Sequence, residues 1–168
     1  MRNITLVSMN VNGMNNPIKR SKVILKMRKL NANAIYLQET HLSQEDKLKK
    51  FGYRNSYYST SKKSRKREVA ILIKNSVNFE CSREIRDSEG RYIIVRGKLE
   101  GEAVTLINLY IPPESNQQNV KTLLTTVMSE SEGTVLCAGD FNVVFDHRID
   151  TTRTNRSKNS LRLKISLN

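Results

Sequence analysis

The apolar residues of this chain come in short runs, and that punctuation limits what it can fold into more than any other feature. Residues 34–37, 69–73 and 134–138 are brief, largely apolar stretches of the kind that forms buried strands, each bounded closely by Asn, Gly or Ser. Two further stretches repeat their apolar side chains at helical spacing: Val23, Ile24, Met27 and Leu30, then Val120, Leu123, Leu124 and Val127. No run approaches the ~20 apolar residues of a membrane span, and residues 1–6 pass directly into alternation rather than into a leader-like segment. Short strands interleaved with two amphipathic helices predict an α/β protein without a membrane partner, placed inside the cell, in nucleus or cytoplasm.

The remaining punctuation fills in the elements. Residues 4–9 alternate as a strand that Asn10-Val11-Asn12-Gly13 breaks, and Asn16 before Pro17 predicts a helix N-cap with proline in first position, the helix running to about residue 30. Ser43 with Asp46 predicts a short helix to about residue 50, closed by Phe51-Gly52-Tyr53, after which Tyr53, Tyr57 and Tyr58 favour an extended segment. Residues 69–73, 77–83, 92–99 and 104–110 are four consecutive β-rich runs joined by turn-like residues, and an antiparallel meander is the economical reading. Pro112-Pro113 ends the last of them, residues 119–128 form the second helix, and no internal repeat is visible.

With 168 residues and 38% apolar content the chain is one domain long. Its 29 Lys and Arg against 16 Asp and Glu give a formal charge of +13, an excess that favours polyanionic partners, nucleic acid first. Lys62, Lys63, Arg65, Lys66 and Arg67 fall in a segment without apolar residues, which predicts an exposed loop able to meet phosphates. After residue 146 the composition changes: Arg148, Arg153, Arg156, Lys158, Arg162 and Lys164 face only Asp150. The expected division is a folded domain over residues 1–146 and a basic, weakly structured tail over 147–168. Cys81 and Cys137 lie in expected strands without metal-site spacing, and buried reduced thiols are expected.

Polar side chains gather at the C-terminal ends of these strands: Asn10, Glu39, Asn108 with Tyr110, and Asp140 with Asn142. Strand ends hold such groups rigidly while facing them into open space. An all-oxygen set with one or two carboxylates suits a hard cation such as Mg²⁺, which keeps water and phosphate in the rest of its shell.

Asn10-Val11-Asn12-Gly13, Gln38-Glu39-Thr40-His41, Val69-Ala70-Ile71-Leu72-Ile73, Asn108-Leu109-Tyr110-Ile111-Pro112 and Gly139-Asp140-Phe141-Asn142 occur in order over nearly the first 150 residues. In that order and spacing the chain resembles the endonuclease/exonuclease/phosphatase superfamily, and within it the apurinic-type endonuclease domain of LINE-type retrotransposons. The resemblance implies a deoxyribonuclease-I-like, four-layered sandwich of two mixed β-sheets flanked by helices, lacking its last strands, with the site in a cleft at one end. It implies that Glu39 binds Mg²⁺, or Mn²⁺ as the alternative, with Asn10 beside it. Asp140 orients or deprotonates the attacking water, Asn142 holds the phosphate surroundings, and Tyr110 with Asn108 lines the site against the scissile phosphate. The implied partner is DNA, nicked by a monomer that needs no small-molecule cofactor; in a retrotransposon the nick supplies the 3′-hydroxyl that primes reverse transcription.

Two later motifs of the family, an Asp near a further strand end and a Ser-Asp-His, have no counterpart here. His41 belongs to the Glu39 motif, and His147 follows Asn142 too closely to have crossed another helix and strand. Glu68 stands where relatives commonly carry a small residue. The expectation is therefore hydrolysis impaired by an incomplete site, with a catalytically silent, basic nucleic-acid-binding remnant as the alternative reading and a phosphatase or sphingomyelinase relative as the third.

Overall fold

The computed structural model describes residues 4–42, 51–61 and 68–142. The helix expected after Ser43, the basic loop from Lys62 to Arg67 and the tail with His147, Arg148, Arg153 and Arg156 lie outside the described residues.

Among the described residues, two sheets of four strands carry the architecture. The first has the order β1 (Leu6–Asn10), β2 (Ala34–Gln38), β4 (Val69–Ile73) and β3 (Asn55–Ser59); the second has the order β5 (Phe79–Arg86), β6 (Tyr92–Leu99), β7 (Glu102–Tyr110) and β8 (Thr134–Asp140). β1 and β2 run parallel, as do β7 and β8, and every other pairing is antiparallel, so both sheets are mixed. Helix α1 (Pro17–Lys29) joins β1 to β2, and α2 (Gln117–Ser129) joins β7 to β8, the long crossover that parallel neighbours require.

The alternation of side chains divides the core into three layers. Val69, Ile71 and Ile73 of β4 point into the space between the sheets with Phe79, Ile93, Val95 and Leu106. Ala70 and Leu72 of the same strand point the other way, against Val23, Ile24 and Met27 of α1. Val120, Leu123 and Val127 of α2 cover Ile94, Ile107 and Leu109 on the outside of the second sheet. Helix, sheet, sheet, helix is the four-layered sandwich that the motifs imply, and burying each such aliphatic side chain stabilises it by roughly 1.5–3 kcal/mol. Both helices begin as their sequences dictate. The Asn16 carboxamide accepts from the backbone N–H of Ile18 and Lys19, with Pro17 in first position, and Asn116 accepts from Asn119.

Two expectations need correction. The four β-rich runs do not form one meander: β5, β6 and β7 do, but β4 pairs with β2 and β3 in the other sheet. The turn after β4 is therefore a crossover between sheets. Its strand is apolar on both faces, all five residues being buried, which fits an interior strand and not an edge of a meander. Cys81 and Cys137 are free thiols but exposed; they sit on β5 and β8, the outer strands of their sheet among the described residues.

Candidate active site

The parallel pairs decide where the polar strand tips fall. In β1–β2 the register sets Asn10 against Gln38, and in β7–β8 it sets Tyr110 against Asp140. The four tips thus reach one end of the sandwich, with β1 and β8 in contact across the sheets. Beyond the strands the ladder continues into the loops: Val11, Gly13 and Met14 donate to the carbonyls of Gln38, Glu39 and Thr40 at 3.0, 2.6 and 2.7 Å, and Ile111 donates to Asp140 at 2.8 Å. The loops are held as firmly as the strands.

At the centre, the Nδ2 of Asn10 donates to Glu39 Oε1 and to Asp140 Oδ2, each at 2.8 Å. One amide group thereby holds two carboxylates from different sheets, residues 29 and 130 positions away in sequence. The Asn10 oxygen accepts from the Asn12 N–H at 2.9 Å, which fixes the amide with its nitrogen toward the carboxylates. The Tyr110 hydroxyl bonds to Glu39, and its pKa is pushed up to about 12, first by burial and then by the negative charges of Glu39, Asp140 and Glu114, so it remains a neutral donor. Asn142 sits at the rim: its N–H donates to Asp140 Oδ1 at 3.3 Å and its carboxamide to Ile111 O at 3.0 Å. His41 lies with Nε2 3.9 Å from Glu39 Oε2, packed over Gly13, where a Cβ would come within 3.0 Å of the imidazole.

Backbone strain concentrates here. Of the six described non-glycine residues with positive φ, four belong to these loops: Asn12, Glu39, His41 and Asn142. Asparagine tolerates the left-handed region, but Glu39 at φ 52° and His41 at φ 50° pay for it, on the order of 1 kcal/mol each, and such strain persists where a site imposes it. Gly139 shows a related constraint, since a Cβ there would lie 2.0 Å from Leu109 O; only glycine lets β8 bring Asp140 so close to Tyr110.

Asn108 is elsewhere. It does not line the cleft: it is fully buried between the sheets, donating to Leu37 O at 2.9 Å and Ala70 O at 2.8 Å and accepting from Gln38 Nε2 at 2.7 Å. Both amide hydrogens and the oxygen are engaged in joining the sheets, and the side chain has no exposed surface to offer a substrate. Gln38, which sequence reasoning passed over, is its partner and also reaches Ser8 Oγ at 3.1 Å. A polar residue closing an otherwise apolar buried strand was the available signal. Two further buried polar residues support the loops: Glu68 accepts from the Thr40 hydroxyl at 3.4 Å, and Arg20 donates to Met14 O at 3.1 Å.

Among the described residues no three His, Cys, Asp or Glu side chains cluster as a metal-binding group. Two carboxylates sharing one neutral amide do suit Mg²⁺, since like charges this close favour a cation between them and Mg²⁺ needs only one or two protein carboxylates.

The model of the endonuclease/exonuclease/phosphatase family matches residues 7–165, nearly the whole chain, and the chain belongs to that family. Among solved structures it is similar to TDP2 of D. rerio complexed with a single-strand DNA product, at 21% identity and a TM-score of 0.67 over 84% of this chain and 61% of that one. It is also similar to a mannosyl-6-phosphatase of Bacteroides thetaiotaomicron (15% identity, TM-score 0.64, 84% and 66% covered) and to the endonuclease domain of TRAS1, a telomere-specific non-LTR retrotransposon (13%, 0.58, 82% and 60%). These likenesses show a shared fold, and the chain spans 60% to 66% of the length of the three. Among the described residues no helix is long and apolar enough to cross a membrane.

Proposed function

We propose that this chain hydrolyses phosphodiester bonds of DNA with the help of Mg²⁺, nicking one strand. The observation that carries this reading is the Asn10 amide, 2.8 Å from both Glu39 and Asp140, which joins the two sheets' carboxylates at one point of the cleft. Glu39, with Asp140 opposite, would hold the cation. When bound, it would supply positive charge to the phosphoryl oxygens as negative charge builds there. Asp140 would accept a proton from an attacking water, its carboxylate oriented by Asn10 and the Asn142 N–H. Tyr110, kept protonated, can turn its hydroxyl from Glu39 to a phosphate oxygen. The formal charge of +13 would draw the polyanion to this end from a distance.

Nicking of a supercoiled plasmid decides the matter. The expected result is Mg²⁺-dependent relaxed circles with the wild type and at least a 100-fold loss with Glu39→Ala, in line with the ~10²- to 10⁴-fold contribution of an essential acid-base or charge-stabilising group. No nicking, or nicking indifferent to that substitution, ends the enzymatic reading. The second reading, a catalytically silent nucleic-acid binder, is favoured by the charge itself. It requires binding that survives Glu39→Ala and weakens steeply from low to physiological salt.

A further inference from the structure

Helix α1 has the sequence PIKRSKVILKMRK, six basic residues and no acid in 13. Arg20 is spent inside, on Met14 O, and Arg28 donates to Phe51 O at 2.9 Å. The other four, Lys19, Lys22, Lys26 and Lys29, are spaced 3, 4 and 3 residues apart, so they share one face of the helix. All four are exposed, and among the described residues no carboxylate forms an ion pair with them. Beside this stripe stand Ile18 and Leu25, 68% and 53% exposed, two of the largest apolar surfaces left open.

The stripe begins at the cleft. Lys19 Nζ donates at 2.7 Å to the carbonyl of Asn12, whose own N–H is held by Asn10. It then leads away, because β1 and β2 are parallel and both end at the cleft, so the helix joining them must run back toward the opposite end. From Lys19 to Lys29 it covers about 15 Å. A DNA duplex lying across the cleft is stiff over ~150 base pairs and cannot follow this face down the side of the sandwich without a substantial bending cost. An unpaired strand can, and its unstacked bases would find apolar surface in Ile18 and Leu25 while its phosphates meet the lysines.

We propose that this face of α1 is a track for an unpaired nucleic-acid strand that enters or leaves the cleft. The proposal rests on the reading of the cleft as a DNA-hydrolysing site for its direction, but its test does not depend on cleavage. The full chain is titrated against a fluorescent blunt duplex, the same duplex with a single-stranded tail, and a free oligothymidylate, by fluorescence anisotropy over a range of salt. The same is done for Lys22→Gln/Lys26→Gln/Lys29→Gln, in which glutamine keeps the helix propensity, and for Arg83→Gln/Lys98→Gln/Lys121→Gln, which removes equal charge from exposed positions outside the stripe.

With the wild type, the tail should tighten binding at low salt. In the α1 variant the tail's advantage should vanish, and the slope of log affinity against log salt for the oligothymidylate should fall by about 2, three phosphate contacts at ~0.7 each. Affinity for the blunt duplex should change less than threefold, and the control variant should behave as wild type toward the tail. A tail that adds nothing to wild-type binding, or a control variant that loses as much as the α1 variant, overturns the track. Absence of nicking with a retained tail effect overturns the enzymatic reading alone.

Discussion

The cleft and the layer between the sheets treat their polar side chains in opposite ways. Between the sheets, polar atoms are matched: Asn108 bonds to Leu37, Ala70 and Gln38, and the buried Tyr36 hydroxyl donates to Leu136 O at 2.9 Å. At the cleft, two carboxylates lean on one amide nitrogen, and Glu39 and His41 hold backbone conformations that their residue types disfavour. The first region is arranged for stability and the second against it. Carboxylates crowded onto one amide and backbone held under strain are what remains when a surface is shaped for something that arrives later.

That contrast can be broken by substitution. Asn108→Ala should have the largest effect on stability, since it strands two buried carbonyls and the Gln38 amide at once; a loss of about 3 kcal/mol or more is expected in urea unfolding. A loss below about 1 kcal/mol would mean that the sheets do not depend on this staple. Asp87→Asn comes next. Asp87 is buried in the turn after β5 and is bonded by Arg91 through Nε at 2.8 Å and through its backbone N–H at 2.9 Å. Burial alone would raise its pKa, but the Arg91 contacts override this and hold the carboxyl below the ordinary range. The stabilisation is therefore complete above the unfolded-state value near 4 and is lost as pH falls through the depressed folded-state value. The asparagine variant should cost about 2 kcal/mol at neutral pH, and its stability should fall less steeply than the wild type's below pH 4. Glu39→Gly should have the smallest effect and the opposite sign: relief of a left-handed glutamate should raise stability by about 1 kcal/mol while nicking disappears. Destabilisation instead would show that Glu39 belongs with the matched groups.

The sequence made the elements legible because the apolar periodicity and the asparagine caps act locally. β4, β6 and both helices lie within two or three residues of their expected limits. It did not reveal which sheet β4 joins, since a strand apolar on both faces carries no mark of its neighbours. Asn10 and Asn108 looked alike as strand-tip amides, yet Asn10 reaches the cleft and Asn108 the interior. Asn108 lies two residues before the end of β7, so the pleat puts it at the same level as Gln38's side chain, in the gap between the sheets. Pairing across a gap is a property of two sheets docking, and no single segment encodes it.

The two crossover units, β1–α1–β2 and β7–α2–β8, are alike in ways the sequence does not repeat: each joins parallel neighbours through a helix of 13 residues capped by asparagine. One contributes Asn10 and Glu39, the other Tyr110 and Asp140. If Glu39 and Asp140 hold a cation as proposed, neither half alone would own a complete set of ligands, and occupancy would report that both have folded and docked. By linkage, such an ion would add RT ln(1 + [L]/Kd) to the docked state alone, and the cleft would act as a clasp fastened by whatever it binds.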